Sequence, residues 1–197
     1  MSRRGITPSQ TIGPFFAHAL TPAANDFAPL VGADLVTPDT AGETIRIAGR
    51  VVDGAGQPVP DAMIEIWQAD GAGRYPGGPA AALPNSGFRG FGRAACDSAG
   101  EFAFRTVRPG AVPGPAGRLQ APHIDVGIFA RGLLRRLFTR IYFPDEPANQ
   151  ADPILALVSS DRRATLIAHR EEAAGGPPLY RFDICLQGER ETVFFEA

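Results

Sequence analysis

Glycine and proline interrupt this chain too often for a helical bundle. Its 197 residues include 23 Gly and 19 Pro, about one residue in five, and both residue types disrupt helix interiors. The segments between them alternate apolar and polar residues with the period of a half-buried strand. Eight such runs are present: Thr44–Val52, Ala62–Gln68, Glu101–Val107, His123–Ala130, Arg136–Phe143, Ala164–Ala168, Leu179–Gln187 and Glu191–Phe195. The sequence therefore predicts an all-β fold, a β-sandwich with Trp67 and Phe104 in its core.

The chain divides into an N-terminal arm, residues 1–43, and a sandwich domain, residues 44–197. Repeated prolines and the absence of a sustained period predict that the arm is extended, with at most a short helical turn. Its apolar content is too high for a free tail, so we expect it to pack on its own domain or on another chain. Two Gly/Pro-rich connections, Gly71–Gly92 and Pro109–Pro122, are long enough to indicate functional loops.

Composition excludes several classes of function. The formal net charge is −2, which gives no basic surface for nucleic acid or an anionic membrane. All basic residues are Arg, so Schiff-base and lysine-nucleophile mechanisms are excluded. Cys96 and Cys185 are too few for a zinc ribbon or a disulfide framework and are expected to be reduced thiols. No membrane span or signal peptide is recognisable, which predicts a cytoplasmic protein.

Three polar positions are candidates for chemistry. In the run from His123 to Phe129, alternation places His123 and Asp125 on the face opposite the aliphatic residues, where they are either two metal ligands or a structural pair. Tyr75 lies at the start of the first long loop and either ligates iron(III) or caps the core with a paired hydroxyl. Arg131, at the end of the His123 strand, either grips a carboxylate with two hydrogen bonds or is a solvated surface residue.

Motifs over nearly the whole chain resemble the intradiol ring-cleavage dioxygenases. In the central part these are Gly49–Val51, Ile64–Asp70 (IEIWQAD), Gly73–Tyr75, Phe104–Gly110 (FRTVRPG), Ala121–Ile124 (APHI) and Tyr142–Pro144. The terminal segments Thr7–Phe16 (TPSQTIGPFF) and Tyr180–Ile184 (YRFDI) are similar to the alpha chain of two-chain members of this family. The resemblance implies a transthyretin-like β-sandwich with an extended arm and long functional loops.

Active members of the family hold one non-haem iron(III) with two tyrosines and two histidines, and this sequence matches only half of that set. Tyr75 matches the first tyrosine and His123 the first histidine. The second histidine position is Asp125 and the second tyrosine position is Val112. Valine cannot bind a metal, so we expect no metal site and no catalytic residue in this chain, with these four positions vestigial.

The resemblance implies that function belongs to a pair of chains. Fe(III) is then bound by a homologous beta chain, in an oligomer of alpha-beta pairs. Thr11, Gly13, Pro14 and Arg131 of this chain line the pocket around the substrate, protocatechuate (3,4-dihydroxybenzoate). The implied reaction, part of aromatic catabolism through the beta-ketoadipate pathway, inserts both atoms of O2 between the hydroxylated carbons and gives 3-carboxy-cis,cis-muconate.

Two other hypotheses make different predictions. The first is a self-sufficient dioxygenase that uses Tyr75, His123 and Asp125 as a three-ligand metal site, which metal analysis of the isolated chain tests. The second is a stand-alone, non-catalytic binding protein with a transthyretin-like sandwich. Copurification with a larger homologous chain that carries two tyrosine and two histidine ligands would exclude this second hypothesis.

Overall fold

The computed structural model describes residues 13, 19–77, 88–172 and 175–196. Eleven strands lie within these ranges: β1 (Thr44–Val52), β2 (Met63–Trp67), β3 (Phe91–Ala95), β4 (Glu101–Val107), β5 (Val112–Pro113), β6 (Leu119–Gln120), β7 (His123–Phe129), β8 (Leu137–Tyr142), β9 (His169–Glu171), β10 (Leu179–Arg181) and β11 (Ile184–Cys185). Five short 3-10 helices complete the described elements: Pro22–Asn25, Pro115–Gly117, Pro147–Ala151, Leu155–Leu157 and Arg163–Leu166. The fold is all-β, as predicted.

Two main sheets form the body of the protein. In the first sheet, β1 pairs antiparallel with β4 and parallel with both β10 and β11, and β9 extends β10. The second sheet has the order β3-β2-β7-β8, with every pair antiparallel. A small third sheet joins β5 to β6 inside the Pro109–Pro122 connection. No helix in the described ranges is long and apolar enough to cross a membrane.

One hydrophobic core joins the inner faces of the two main sheets. It takes alternate residues from each strand, and those at most 4% exposed are Ile45, Ile47 and Val51 of β1, Ile64 and Ile66 of β2, Phe102 and Phe104 of β4, and Ile124, Val126 and Ile128 of β7. In β7 the buried aliphatic side chains are Ile124, Val126 and Ile128, so the alternation predicted for this strand is confirmed. His123 and Asp125 therefore lie on the opposite face of the second sheet.

An Asp-x-Ala-Gly tetrapeptide forms a turn at three places in the chain. At Asp53, Asp70 and Asp97 the carboxylate accepts hydrogen bonds from the backbone N–H groups two and four residues later, at 2.8 to 2.9 Å. The glycine three residues after each aspartate has a positive φ of 74 to 76°, a conformation that only glycine adopts at little cost.

The predicted strand Leu179–Gln187 is divided into β10 and β11 at Phe182 and Asp183. The Phe182 carbonyl approaches Gly49 of β1 so closely that a Cβ on Gly49 would lie 1.8 Å from its oxygen. Asp183 then turns its carboxylate back to accept the Arg50 backbone N–H at 3.0 Å. The missing side chain at position 49 is what lets β1 pair with both pieces.

Gly49→Ala is expected to lower the free energy of unfolding by about 2–4 kcal/mol. The new methyl group meets a backbone carbonyl, which cannot move without breaking the pairing of β1 with β10 and β11. Urea denaturation of the two proteins measures the difference. Gly176→Ala is the control, because no atom lies within 4 Å of a Cβ at that position, and equal effects of the two substitutions would contradict the prediction.

Several strand predictions are wrong. Ala164–Ala168 contains a 3-10 helix instead, because its N–H groups bond to carbonyls three residues earlier while Leu166 fills a second, smaller core. Glu191–Phe195 is extended but joins no ladder, and β3 was missed. Phe104 is buried as predicted, whereas Trp67 is only partly buried and stacks on Tyr75 outside the main core.

The described part of the N-terminal arm packs on the sandwich. Leu35 is 6% exposed within the main core, and its backbone N–H donates to the Arg105 carbonyl at 2.8 Å. Farther toward the N-terminus the arm exposes large apolar side chains, with Phe27 69% and Leu30 92% exposed. Contact with another chain therefore remains a prediction for this part.

Candidate functional site

The loop after β2 brings Tyr75 next to the segment that carries Val112. Asp70 stabilises this loop by accepting the N–H of Arg74 and pairing with the Arg74 guanidinium at 2.9 Å. Gly73 then packs against the Gly110–Ala111 backbone, where a Cβ on Gly73 would lie 2.0 Å from the Ala111 carbonyl oxygen. Two glycine-containing loops in backbone contact thus form one side of what we call the degenerate site: Tyr75, Val112, His123 and Asp125.

Tyr75 and Val112 are placed on this site by different contacts. The Tyr75 ring is stacked on Trp67, with ring centroids 5.8 Å apart, and Trp67 pairs with Asp125 across β2 and β7. Burial, with the nearby Asp125 charge, raises the pKa of the Tyr75 phenol above its usual value. Val112 pairs with Gln120 in the third sheet and is buried. A neutral phenol and an aliphatic side chain occupy the two tyrosine positions.

His123 is a buried, neutral imidazole. Its Nδ1 lies 2.7 Å from the Ala121 carbonyl oxygen, so Nδ1 carries the proton and donates. Its Nε2 is buried and has no hydrogen-bond partner within the described ranges, and the nearest carboxylate oxygen, of Asp125, is 4.0 Å away. Burial, reinforced by the charge of Arg140, lowers the pKa of His123 below 6.5.

Arg140 neutralises the carboxylate of Asp125. The two residues are paired across β7 and β8, and they form an ion pair with the Arg140 Nε 2.9 Å from Asp125 Oδ1. Arg140 also donates through Nη1 to Gln120 Oε1 at 2.7 Å, beside Val112. A guanidinium cation thus lies among the residues that would have to bind the iron, and it pairs with the carboxylate among them. These residues do not fit iron(III).

A second carboxylate fixes the backbone around the degenerate site. Asp152 accepts the Ala121 N–H at 2.7 Å, the Tyr142 hydroxyl at 3.1 Å and the N–H of Leu155 at 2.7 Å. This arrangement holds the backbone of Ala121, two residues before His123, and the Tyr142 hydroxyl beside Arg140. In the part of the chain that the structure describes, no group of three or more His, Cys, Asp or Glu side chains could hold a metal ion.

His123 is expected to make the protein less stable as the pH falls below neutrality. Because its pKa is lower in the folded chain than the ordinary 6.5 of the unfolded chain, the unfolded state binds the proton first. The stability that neutral His123 contributes is fully present above pH 6.5, and it is lost as the pH falls from that value to the lowered folded-state pKa. The free energy of unfolding, measured by urea denaturation from pH 7.5 to 5, should fall less in His123→Gln than in the unaltered protein.

His169→Gln is the matched control for this pH series, because His169 is exposed on β9. It should retain the pH dependence of the unaltered protein. If His123→Gln shows the same loss of stability at low pH as the unaltered chain, then His123 is not the group responsible.

Arg131 lies in a separate open cleft of about 1020 Å³. The cleft crosses the side of the sandwich where the edge strands β3 and β4 meet, and the arm forms one wall. Gly13 lines the same cleft, as do Arg46, Arg93 and Arg181. Arg131 is 74% exposed in its side chain, and its Nε donates to Asp61 Oδ2 at 3.0 Å. The cleft brings together two of the four residues predicted to bind substrate.

Arg131 and the degenerate site lie at opposite ends of β7. His123 begins this strand and Arg131 comes two residues after its end. A strand of this length extends roughly 20 Å. Arg131 therefore cannot contact a ligand held at the degenerate site of its own chain. The cleft is a second site, separate from the degenerate site.

The remaining predicted residues have two outcomes. Thr11 and Pro14 lie outside the described residues, whereas the four vestigial positions together form the degenerate site. Four further residues of these sites were not predicted from the sequence: Arg140, Gln120, Asp152 and Asp61. Nothing in the composition or spacing marks them, because their roles depend on which strands are neighbours and in what register.

Comparisons with known proteins identify the family of the chain. A family model described as Dioxygenase matches residues 11–188. The chain is 45% identical over 196 residues to the protocatechuate 3,4-dioxygenase alpha chain of Burkholderia cepacia, covering 97% of each protein. It is 34% identical over 190 residues to the beta chain from the same organism, covering 85% of this chain and 80% of that protein.

A solved structure is similar over almost its full length. The dioxygenase domain of a dioxygenase carbohydrate-binding protein fusion from Streptomyces sp. SirexAA-E is 29% identical, with a TM-score of 0.61, and the match covers 95% of this chain and 99% of that one. The chain belongs to the intradiol ring-cleavage dioxygenase family.

Proposed function

We propose that this chain is the alpha subunit of a protocatechuate 3,4-dioxygenase, in which a homologous beta chain binds the iron. The enzyme cleaves 3,4-dihydroxybenzoate with O2 between its two hydroxylated carbons and yields 3-carboxy-cis,cis-muconate. The alpha chain contributes the substrate-facing cleft with Gly13 and Arg131. The family resemblance is the ground for including Thr11 and Pro14, which lie outside the described residues, among the substrate-binding residues. Catalytic metal chemistry belongs to the partner.

The observation that carries the proposal is the separation of the two sites. The degenerate site has an aliphatic residue and a carboxylate paired to Arg140 where iron ligands are required. The exposed Arg131 lies at the other end of β7, where its guanidinium is out of reach of a ligand at the degenerate site and is accessible to a ligand bound elsewhere. An arginine in a partly desolvated pocket suits the carboxylate of protocatechuate.

Exposed apolar residues near the cleft support a second chain as the partner. Leu30 lies between the lining residues Pro29 and Val31, and Leu134 lies three residues beyond Arg131. These residues are 92% and 82% exposed, and large exposed apolar residues beside a cleft are typical of a protein–protein contact surface when they form a patch. This favours an alpha-beta heteromer over a stand-alone binding protein. The arm, residues 1–43, is the segment that we propose to reach the beta chain.

Expression of the chain alone and together with its beta chain tests the proposal. The isolated chain should contain no stoichiometric iron, should be colourless in the visible region and should not consume O2 with protocatechuate. The copurified complex should contain iron, show a tyrosinate-to-iron charge-transfer band and turn over protocatechuate. A coloured, iron-loaded isolated chain, or a failure of the two chains to copurify, would contradict it.

A further inference from the structure

Asp61 and Arg131 meet because of the register of β2 and β7. These strands pair antiparallel with Met63 opposite Phe129. Extending that register by two residues places Asp61 opposite Arg131 at the edge of the cleft. Asp61 Oδ2 accepts the Arg131 backbone N–H at 2.9 Å and the Arg131 Nε–H at 3.0 Å. One carboxylate oxygen thus fixes both the backbone and the guanidinium of Arg131.

The geometry leaves the other edge of the guanidinium available. Within the described ranges neither terminal nitrogen of Arg131 makes a hydrogen bond, and the side chain is 74% exposed. A substrate carboxylate can accept two parallel N–H bonds from those two nitrogens. Because Arg carries a large rotamer entropy, fixing the side chain in advance reduces the cost of ordering it on binding.

Two other arginines of the cleft, Arg93 and Arg181, are held differently. Arg93 uses both Nε and Nη2 on Glu65 Oε1, at 2.9 and 2.6 Å, so one edge of its guanidinium is already occupied. Arg181 is held through Nε by Glu171 at 2.8 Å, but within the described residues its backbone N–H makes no hydrogen bond to that carboxylate. Only Arg131 has its main chain and its side chain bound to the same oxygen among these three.

We propose that Asp61 is a positioning residue that fixes Arg131 with its terminal nitrogens directed at the carboxylate of the substrate. This inference rests on the proposed role of Arg131. The charge state of Asp61 is consistent with it. Although partial burial opposes the shift, the hydrogen bonds from Arg131 lower the pKa of Asp61, so the carboxylate is ionised at neutral pH.

A double-mutant cycle in the alpha-beta complex tests this role. The readout is the ratio of kcat/KM for protocatechuate to kcat/KM for catechol, which lacks the carboxylate. Asp61→Ala should lower this ratio about three- to tenfold, chiefly through a higher KM for protocatechuate. In the Arg131→Ala background the same substitution should leave the ratio unchanged, because Asp61 acts only through Arg131.

Two further variants separate positioning from structural support. Asp61→Asn keeps an oxygen that accepts the Arg131 N–H groups, so it should retain most of the ratio and also preserve the fold if Asp61→Ala does not. Glu171→Ala removes a carboxylate that holds Arg181 through Nε in the same cleft, and it should not change the ratio.

The outcomes distinguish this inference from the proposed function. If Arg131→Ala lowers the ratio and neither Asp61 variant does, Asp61 is not a positioning residue although the role of Arg131 stands. If Asp61→Ala lowers the ratio equally in both backgrounds, Asp61 acts by another route and the inference is wrong. If Arg131→Ala itself leaves the ratio unchanged, both ideas fail together.

Discussion

Arg131→Ala in the alpha-beta complex is expected to reduce kcat/KM for protocatechuate by ten- to a hundredfold. Hydrogen bonds to charged groups contribute about 1.5–3 kcal/mol, and each 1.4 kcal/mol corresponds to a factor of about ten. Arg131 is exposed in the cleft with its terminal nitrogens available for such bonds. Steady-state kinetics on protocatechuate and on catechol measure the loss and its dependence on the carboxylate.

Catechol should lose much less activity, because it has no group for Arg131 to bind. Gel filtration of the variant complex verifies that the chains still assemble, since Arg131 is also the partner of Asp61. Equal losses on both substrates would assign Arg131 a structural role and remove the main support for the substrate-facing cleft.

Rebuilding the iron site is expected to require three substitutions in this chain rather than two. Val112→Tyr with Asp125→His restores the family's ligand types, but it removes the carboxylate that pairs with Arg140 and leaves the guanidinium in place. At a separation of ~4 Å and an effective dielectric constant of about 20, each unit of positive charge on a metal costs about 4 kcal/mol against that cation. The double variant should therefore bind no stoichiometric iron(III).

Adding Arg140→Gln should allow iron(III) to bind, because it removes the cation and keeps a side chain that can hydrogen-bond. Iron per chain by metal analysis and the visible charge-transfer band are the measurements, with circular dichroism as a check on folding. If the double variant loads iron as well as the triple variant, Arg140 is not the obstacle. If neither variant binds iron, the tyrosine side chains at positions 75 and 112 do not come close enough to share a metal ion. In that case the charge of Arg140 does not explain the absence of a site.

The strands that sequence patterns predicted well are those with one buried face and a clear turn beside them. Thr44–Val52 and Glu101–Val107 agree with β1 and β4 at both ends, because strict alternation coincides with burial and the Asp97 turn precedes β4. The short strand Phe91–Ala95 has no such alternation. Its conformation comes from pairing with β2, including the ion pair of Arg93 with Glu65 at 2.6 Å, which local sequence does not reveal.

For the candidate sites, the sequence predicts the residue types but not the partners of those residues. The loss of two iron ligands follows from residue types at Val112 and Asp125, which the family resemblance locates along the chain. That Arg140 neutralises Asp125, and that Asp61 anchors Arg131, depends on strand register: Asp125 is opposite Arg140, and the β2–β7 pairing brings Asp61 to Arg131. Register is a property of the assembled sheets, so no single segment carries the information.

The parallel pairing of β1 with β10 has a consequence for how the protein is made. Arg46 and Leu179, 133 residues apart, are neighbours in the first sheet. At a synthesis rate of about 5–20 residues per second, β1 waits roughly 7 to 27 seconds on the ribosome for this partner. During that time the edge of β1 that will pair with β10 has no strand beside it, even after β4 has paired with the other edge. A nascent chain that stops short of Leu179 keeps this edge open, which makes it a target for aggregation or for chaperones before it can meet a second subunit.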